Sequence, residues 1–293
     1  MTLNLRDVPR PAEMKTYHAE SYDRISPSTT KFDAKGKTLF ITAGATGIGY
    51  SISESFAQVG IARIIIIQRR PEVLAQAKKS LEAAYPNTKV ETYAASQSDF
   101  PRMSEIIKSV DEIDVLVPCA TYFSDALTPA KASSTEDIAN YFTVNVVGVF
   151  HLVKEFLALP STASGGPKSV LQVSSAAAQL YIPGASAYCA SKAAANSIIT
   201  HFAFDEPASN VKFFSFHPGS IYTPLVEKSL PKDLSVWEDV KLPGDFAVWL
   251  AGPEAEFLNG RFVWASWDVD DLIALKEKVA SDPSYLTTAV SYS

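Results

Sequence analysis

The chain has 293 residues, 47% of them hydrophobic and 20% charged, with a formal net charge of −6. That length buries a large core without metals or disulfides, and the acidic balance argues against a nucleic-acid surface, which needs clustered Lys and Arg. Two cysteines (Cys119 and Cys189) and four histidines without H-x-x-x-H spacing exclude a disulfide framework and a zinc site, so no metal is expected.

Residues 1–35 are polar and proline-bearing, with no apolar core behind the basic residues. They read as an extension lying over the domain or partly disordered, not as a signal peptide. No apolar run approaches the roughly 18 residues needed to span a bilayer, so a cytoplasmic protein without a membrane partner is expected. From residue 36 short apolar runs alternate with longer amphipathic ones, the pattern of βαβ units. Strands are expected at 38–42, 63–68, 89–94, 114–117, 169–174, 211–216 and 261–264. Seven strands with helices between them predict one α/β domain, a doubly wound parallel sheet over residues 36–268.

The first strand runs into Thr42-Ala43-Gly44-Ala45-Thr46-Gly47-Ile48-Gly49, which opens a helix. Glycines let the backbone approach a ligand, and a helix N-terminus offers free N–H groups to a pyrophosphate. A tight strand–helix turn with no ligand has the same glycines. The second strand ends in Gln68-Arg69-Arg70, with no carboxylate at 67–70 to accept from a ribose 2′-hydroxyl. Guanidinium groups suit a 2′-phosphate, hence NADP(H), although a solvated pair beside Glu72 reads the same way. Pro71 begins a helix with Val73, Leu74, Ala77, Leu81 and Ala84 on one face, and Asp99 is placed to cap the next.

A long helix is expected at 135–159, with Asn145, a poor helix former, in its interior. Asn145 is either a locally bonded amide or the site of a kink whose freed carbonyl helps hold a water near Lys192. The fifth strand ends in Ser174-Ser175, thirteen residues before Tyr188. Tyr188 and Lys192, four apart, share one helix face, and a nearby ammonium is expected to lower the phenol pKa as general acid–base work requires. Alone, such a pair is an ordinary helix face. A hydroxyl at Ser175 can polarise a substrate carbonyl. His217-Pro218-Gly219 ends the sixth strand, and 220–243, with three prolines, reads as a substrate loop or short-helix insertion. Residues 269–293 form a charged, then polar tail. Tyr122, Phe123, Tyr181 and Trp237 fall near the expected crevice and suggest an apolar substrate, or are simply core and loop packing.

From Thr42 to Thr223 these motifs resemble the short-chain dehydrogenases/reductases, most of all their fungal members, with Ala43 where the family has its first glycine. If that position needs positive φ, alanine costs about 1–2 kcal/mol unless Gly44 absorbs the turn. The resemblance implies a single-domain Rossmann fold and reversible hydride transfer between NADP(H) and a carbonyl/alcohol pair, in a homodimer or homotetramer of secondary metabolism. It implies Tyr188 as proton donor, Lys192 on the nicotinamide ribose, Ser175 orienting substrate and Asn145 in the relay. Thr42, Gly44, Thr46, Gly47, Ile48 and Gly49 would hold the pyrophosphate side, Arg69 and Arg70 the 2′-phosphate, and Ser96 and Ala120 the adenosine. Backbone and side chain near Ile221 and Thr223 would hold the carboxamide, and Pro218 and Gly219 would also contact the cofactor. The family's N-N-A-G is here Pro118-Cys119-Ala120-Thr121, and its adenine-contacting aspartate is Ser96. Two other readings remain: an isomerase or cyclase on this scaffold, and a nucleotide-binding sensor without catalysis.

Overall fold

The computed structural model describes residues 8, 10–124, 127–160, 166–206, 210–229 and 231–288. Residues 1–7 and 9 of the expected extension, 230 of the expected insertion and 289–293 of the tail lie outside the described residues. Seven parallel strands form one sheet in the order β3-β2-β1-β4-β5-β6-β7. They are β1 Thr38–Thr42, β2 Arg63–Gln68, β3 Lys89–Ala94, β4 Val115–Val117, β5 Lys168–Val173, β6 Val211–His217 and β7 Arg261–Trp264. The order reverses between β1 and β4, and a ligand crevice in such sheets lies outside the strand carboxyl ends at that reversal.

The strands carry apolar side chains on both faces because helices cover both. Ile64 and Ile66 of β2 join one core with Leu39 and Ile41 of β1. Ile65 and Ile67 join the opposite core with Phe40. The first core packs against α1 (Gly47–Gln58), α2 (Pro71–Ala84) and α7 (Lys241–Leu250). The second packs against α3 (Phe100–Ser109), α5 (Gly148–Leu157) and α6 (Ser186–Asp205). The side chain of Asp99 caps α3 by accepting from Arg102 N.

Two expectations change. The helix expected at 135–159 is α4 (Thr135–Phe142), a π-helical turn (Thr143–Val147) and α5. The insertion expected at 220–243 ends earlier, because Lys241, Leu242 and Pro243 form the first turn of α7, where proline's missing N–H costs nothing. Among its described residues lie two short 3₁₀ turns, Val226–Lys228 and Lys232–Leu234.

Residues from Met14 onward lie against α7 and the chain after β7, which includes α8 (Val269–Ile273) and α9 (Lys276–Ser281). Ser21 Oγ donates to Asp245 Oδ2 at 2.5 Å, and Arg24 pairs with Glu254 at 2.7 Å. His18 stacks on Tyr22 and meets Asp268 at 2.8 Å. No described helix is long and apolar enough to cross a membrane.

Candidate active site

The turn from β1 into α1 is built by steric exclusion. Ala43 takes φ +56° and Gly47 φ +53°, both in the left-handed region. The strain thus falls on Ala43 itself, and Gly44 does not absorb the turn. Gly44 serves close packing instead: a Cβ there would lie 2.6 Å from Ile41 Cγ2. A Cβ on Gly49 would lie 2.2 Å from the Ala43 carbonyl oxygen. Thr46 precedes α1 in extended backbone and makes no side-chain capping bond. The first amides of a helix have no intrahelical acceptor, so this turn fits a pyrophosphate.

Thr42 stands behind it as a connector. Its hydroxyl donates to Gln97 Oε1 at 2.7 Å and accepts from the amides of Cys119 and Ala120, each at 3.0 Å. Gln97 Nε2 donates in turn to the Val144 carbonyl at 2.9 Å, inside the π-helical turn. Gln97 therefore ties the glycine turn, the loop after β4 and the irregular helix together. The sequence reading passed over it for its neighbour Ser96, whose hydroxyl meets that of Ser98 at 2.9 Å. Arg69 and Arg70 stand exposed at the end of β2. Thr223 packs where a Cβ on Gly47 would come within 3.1 Å of it, so the chain after β6 reaches the glycine turn.

Asn145 is 1% exposed and works as a clamp. Its Oδ1 accepts from Tyr122 N at 2.7 Å and Thr121 Oγ1 at 3.1 Å. Its Nδ2 donates to the Tyr122 carbonyl and to Ser191 Oγ, each at 3.1 Å. The amide thus joins the β4 loop to α6 at Ser191, the residue before Lys192.

Tyr188 and Lys192 project from the same face of α6 toward the end of β5. Burial pushes the Tyr188 phenol up to about 12, while a hydrogen bond from Ser175 works in the opposite direction. Burial pushes the Lys192 ammonium down to about 8. Burial outweighs the lowering expected at Tyr188; Lys192 Nζ donates to the Val173 carbonyl at 3.0 Å and lies 5.8 Å from the tyrosine ring centre. Ser175 Oγ also accepts from Ala177 N at 3.1 Å, which fixes its rotamer at the strand end. Beside the pair, the thiol of Cys119 is pushed up to about 12 by burial and stays protonated at neutral pH. His217 is buried, driven down to about 3 and so neutral, with its ring edge-on to Trp264 at 4.6 Å.

The expected substrate-facing aromatics divide. Phe123 packs edge-to-face on the Tyr188 ring at 4.9 Å. Tyr122 turns its hydroxyl to Asp137 at 2.7 Å and packs on Tyr141. Tyr181 is fully exposed, and Trp237 packs on Tyr222 within the insertion. Tyr141 was missed, although it lies four residues before Asn145. Its hydroxyl bonds Ser124 N at 2.9 Å and its ring centre is 6.1 Å from that of Tyr188. Ser124, Thr128, Asp137, Tyr141 and Tyr188 line a small cleft.

Comparison with known proteins agrees with this geometry. Residues 37–234 match the family model described as short chain dehydrogenase. The short chain dehydrogenase/reductase AacuD of Aspergillus aculeatus is 47% identical over 93% of this chain and 94% of its own length. A short chain dehydrogenase/reductase of Claviceps purpurea is 43% identical over 96% and 94%. Among solved structures, a Burkholderia cenocepacia short chain dehydrogenase in complex with NADP superposes with a TM-score of 0.70 at 21% identity, covering 79% of this chain and 96% of that one. An NAD+-bound xylitol dehydrogenase superposes with a TM-score of 0.71 at 19% identity, covering 80% and 100%.

Proposed function

This chain belongs to the short-chain dehydrogenase/reductase family of oxidoreductases, and from that premise we propose that it reduces a small carbonyl compound with NADPH, reversibly, using Tyr188 as general acid/base. The observation that carries the reading is the joint projection of Tyr188 and Lys192 from α6, with Ser175 beside the phenol and drawing its pKa down.

The β1–α1 turn would hold the pyrophosphate through the amides of residues 46–49. Arg69 and Arg70, exposed beside that turn, would pair with a 2′-phosphate, and Ser96 and Ala120 would flank the adenosine. Pro218, Gly219, Ile221 and Thr223 would receive the carboxamide. NADPH, when bound, supplies the hydride. Ser175 orients the substrate carbonyl and donates to its oxygen. Tyr188 delivers its proton to that oxygen, and its burial keeps the proton in place until a developing alkoxide takes it. Lys192, with its pKa near 8, is still about nine-tenths charged at pH 7 and favours the phenolate left behind. Asn145 holds the β4 loop against α6 and so maintains the proton exit beside Lys192. Phe123 and Tyr141 give the reacting carbonyl an aromatic surround, which favours an apolar or aromatic substrate. Val147 of the π-helical turn, Phe150 of α5 and Phe204 of α6 stand exposed and suit a paired-helix contact between two copies.

Equilibrium titrations with NADPH and NADH, read by tryptophan fluorescence, test the cofactor assignment. Tight NADPH with NADH at least tenfold weaker is expected. Equal affinities would remove the role given to Arg69 and Arg70, and binding of neither would remove the redox reading.

A further inference from the structure

The family model begins at residue 37, so the strap of residues before it lies outside the matched region. Its backbone is nevertheless attached at two places beside the candidate site. Tyr17 forms an antiparallel bridge with Trp267, and His18 N donates to the Ser266 carbonyl at 2.8 Å. Asp239 N donates to the Ala19 carbonyl at 2.8 Å. Held between these points, Tyr17 directs its hydroxyl to Glu238 Oε1 at 2.7 Å.

Glu238 is 6% exposed and carries the contact inward. Its Oε2 accepts from Ser220 N at 2.5 Å, and its own amide donates to the Ser220 carbonyl at 2.8 Å. One residue thus binds both backbone polar groups of Ser220. Gly219, at φ +104°, turns the chain just before it, and a Cβ there would lie 3.5 Å from Glu238 Oε2 and 3.3 Å from Ile221 Cδ1. The carboxylate therefore lies against the turn from Gly219 to Ile221. Donors at fixed places favour one rotamer of a buried carboxylate, and removing the phenol removes one of them. Tyr17 in turn lies under the Arg10 guanidinium, 5.6 Å from the ring centre.

We propose that Tyr17 is a positioning residue for the dinucleotide site, acting through Glu238 on the Gly219–Ser220–Ile221 turn, so that the N-terminal strap is a working part of the cofactor pocket. This rests on the reading that the same turn receives the nicotinamide carboxamide. Tyr17 reaches the Ser220 turn through Glu238 in this chain of contacts, so the effects of Tyr17 and Glu238 are coupled.

The test uses the full chain and the variants Tyr17→Phe, Glu238→Gln and the double. Hydrogen exchange over residues 217–222 is measured without nucleotide, and NADPH affinity is measured by fluorescence titration. Tyr17→Phe is expected to speed exchange at Ser220 and weaken NADPH by about three- to tenfold, with kcat at saturating cofactor little changed. Glu238→Gln keeps one acceptor oxygen, and the double variant should be no weaker than Glu238→Gln alone. Unchanged exchange and affinity in Tyr17→Phe, on a wild-type chain that binds NADPH, would overturn this inference alone. Additive losses in the double variant would do the same. A wild-type chain that binds neither nucleotide would overturn the proposed function, and this inference with it.

Discussion

The turn between β1 and α1 and the acid–base face of α6 lie at the same end of the sheet, yet they hold their cost in different forms. In the turn the cost is conformational. Ala43 sits at φ +56°, where an L side chain is strained, and Gly49 leaves no room for a Cβ against the Ala43 carbonyl. On α6 the backbone is ordinary helix and the cost is electrostatic. A buried lysine and a half-buried tyrosine stand together, and desolvation pushes each toward its neutral form. Backbone strain holds a surface that a ligand can approach closely, whereas desolvation sets proton affinities. A substitution at either place should therefore relieve or worsen a cost of its own kind and leave the other function standing.

The sharpest separation is expected from Tyr188→Phe. Turnover should fall by about a hundred- to ten-thousandfold while NADPH affinity stays within about twofold. Steady-state kinetics paired with the fluorescence titration checks this, and a parallel loss of affinity would join the two regions that the comparison separates. Gly49→Ala should do the reverse. A Cβ placed 2.2 Å from a backbone oxygen forces the turn to move, so nucleotide binding should be lost and stability should drop by about 2–4 kcal/mol in urea unfolding.

Lys192→Met tests the electrostatic side by stability. The folded pKa of Lys192, about 8, lies below its ordinary 10.5. The unfolded chain therefore binds more protons between those values, and the wild type gains stability as pH rises through that window. Below pH 8 the whole penalty is present. The methionine variant should be more stable than wild type at pH 7, by about 2 kcal/mol once the lost bond to the Val173 carbonyl is counted, and inactive. Its advantage should shrink by pH 9.5, as urea unfolding of both chains at the two pH values would show. A constant difference would mean that burial of the ammonium is not what costs stability.

The smallest expected effect is at Ala43→Gly. Glycine reaches φ +56° without Cβ strain but gives the unfolded chain more freedom. A net gain of about 0.5–1 kcal/mol is expected, with NADPH binding retained. Thermal unfolding checks the sign. A loss would mean that the Ala43 methyl makes packing contacts that outweigh its backbone strain.

Much of this molecule was legible from local pattern. The short apolar runs of β1, β2 and β3, the Pro71 and Asp99 helix starts, and the Tyr188–Lys192 spacing depend on residues a few positions apart. What escaped depended on distant partners. Gln97 has no periodic or motif signal, and its role exists only because Thr42 and Val144 converge on it. Tyr181 and Trp237 carried the right chemistry in the right segments, but loop geometry turned one to solvent and the other to Tyr222. Nothing in residues 1–35 foretold that Tyr17 would reach Glu238, 221 positions away.

By itself, then, the sequence determined the strand and helix alternation, the glycine turn and the acid–base pair, because backbone periodicity and helix spacing are properties of neighbouring residues. Only the tertiary structure decided the direction of the Tyr188 and Lys192 pKa values, the strain at Ala43 and the path from the strap to the Ser220 turn. Those depend on which groups exclude water from one another and which donors meet which acceptors, and both are settled by segments brought together from far along the chain.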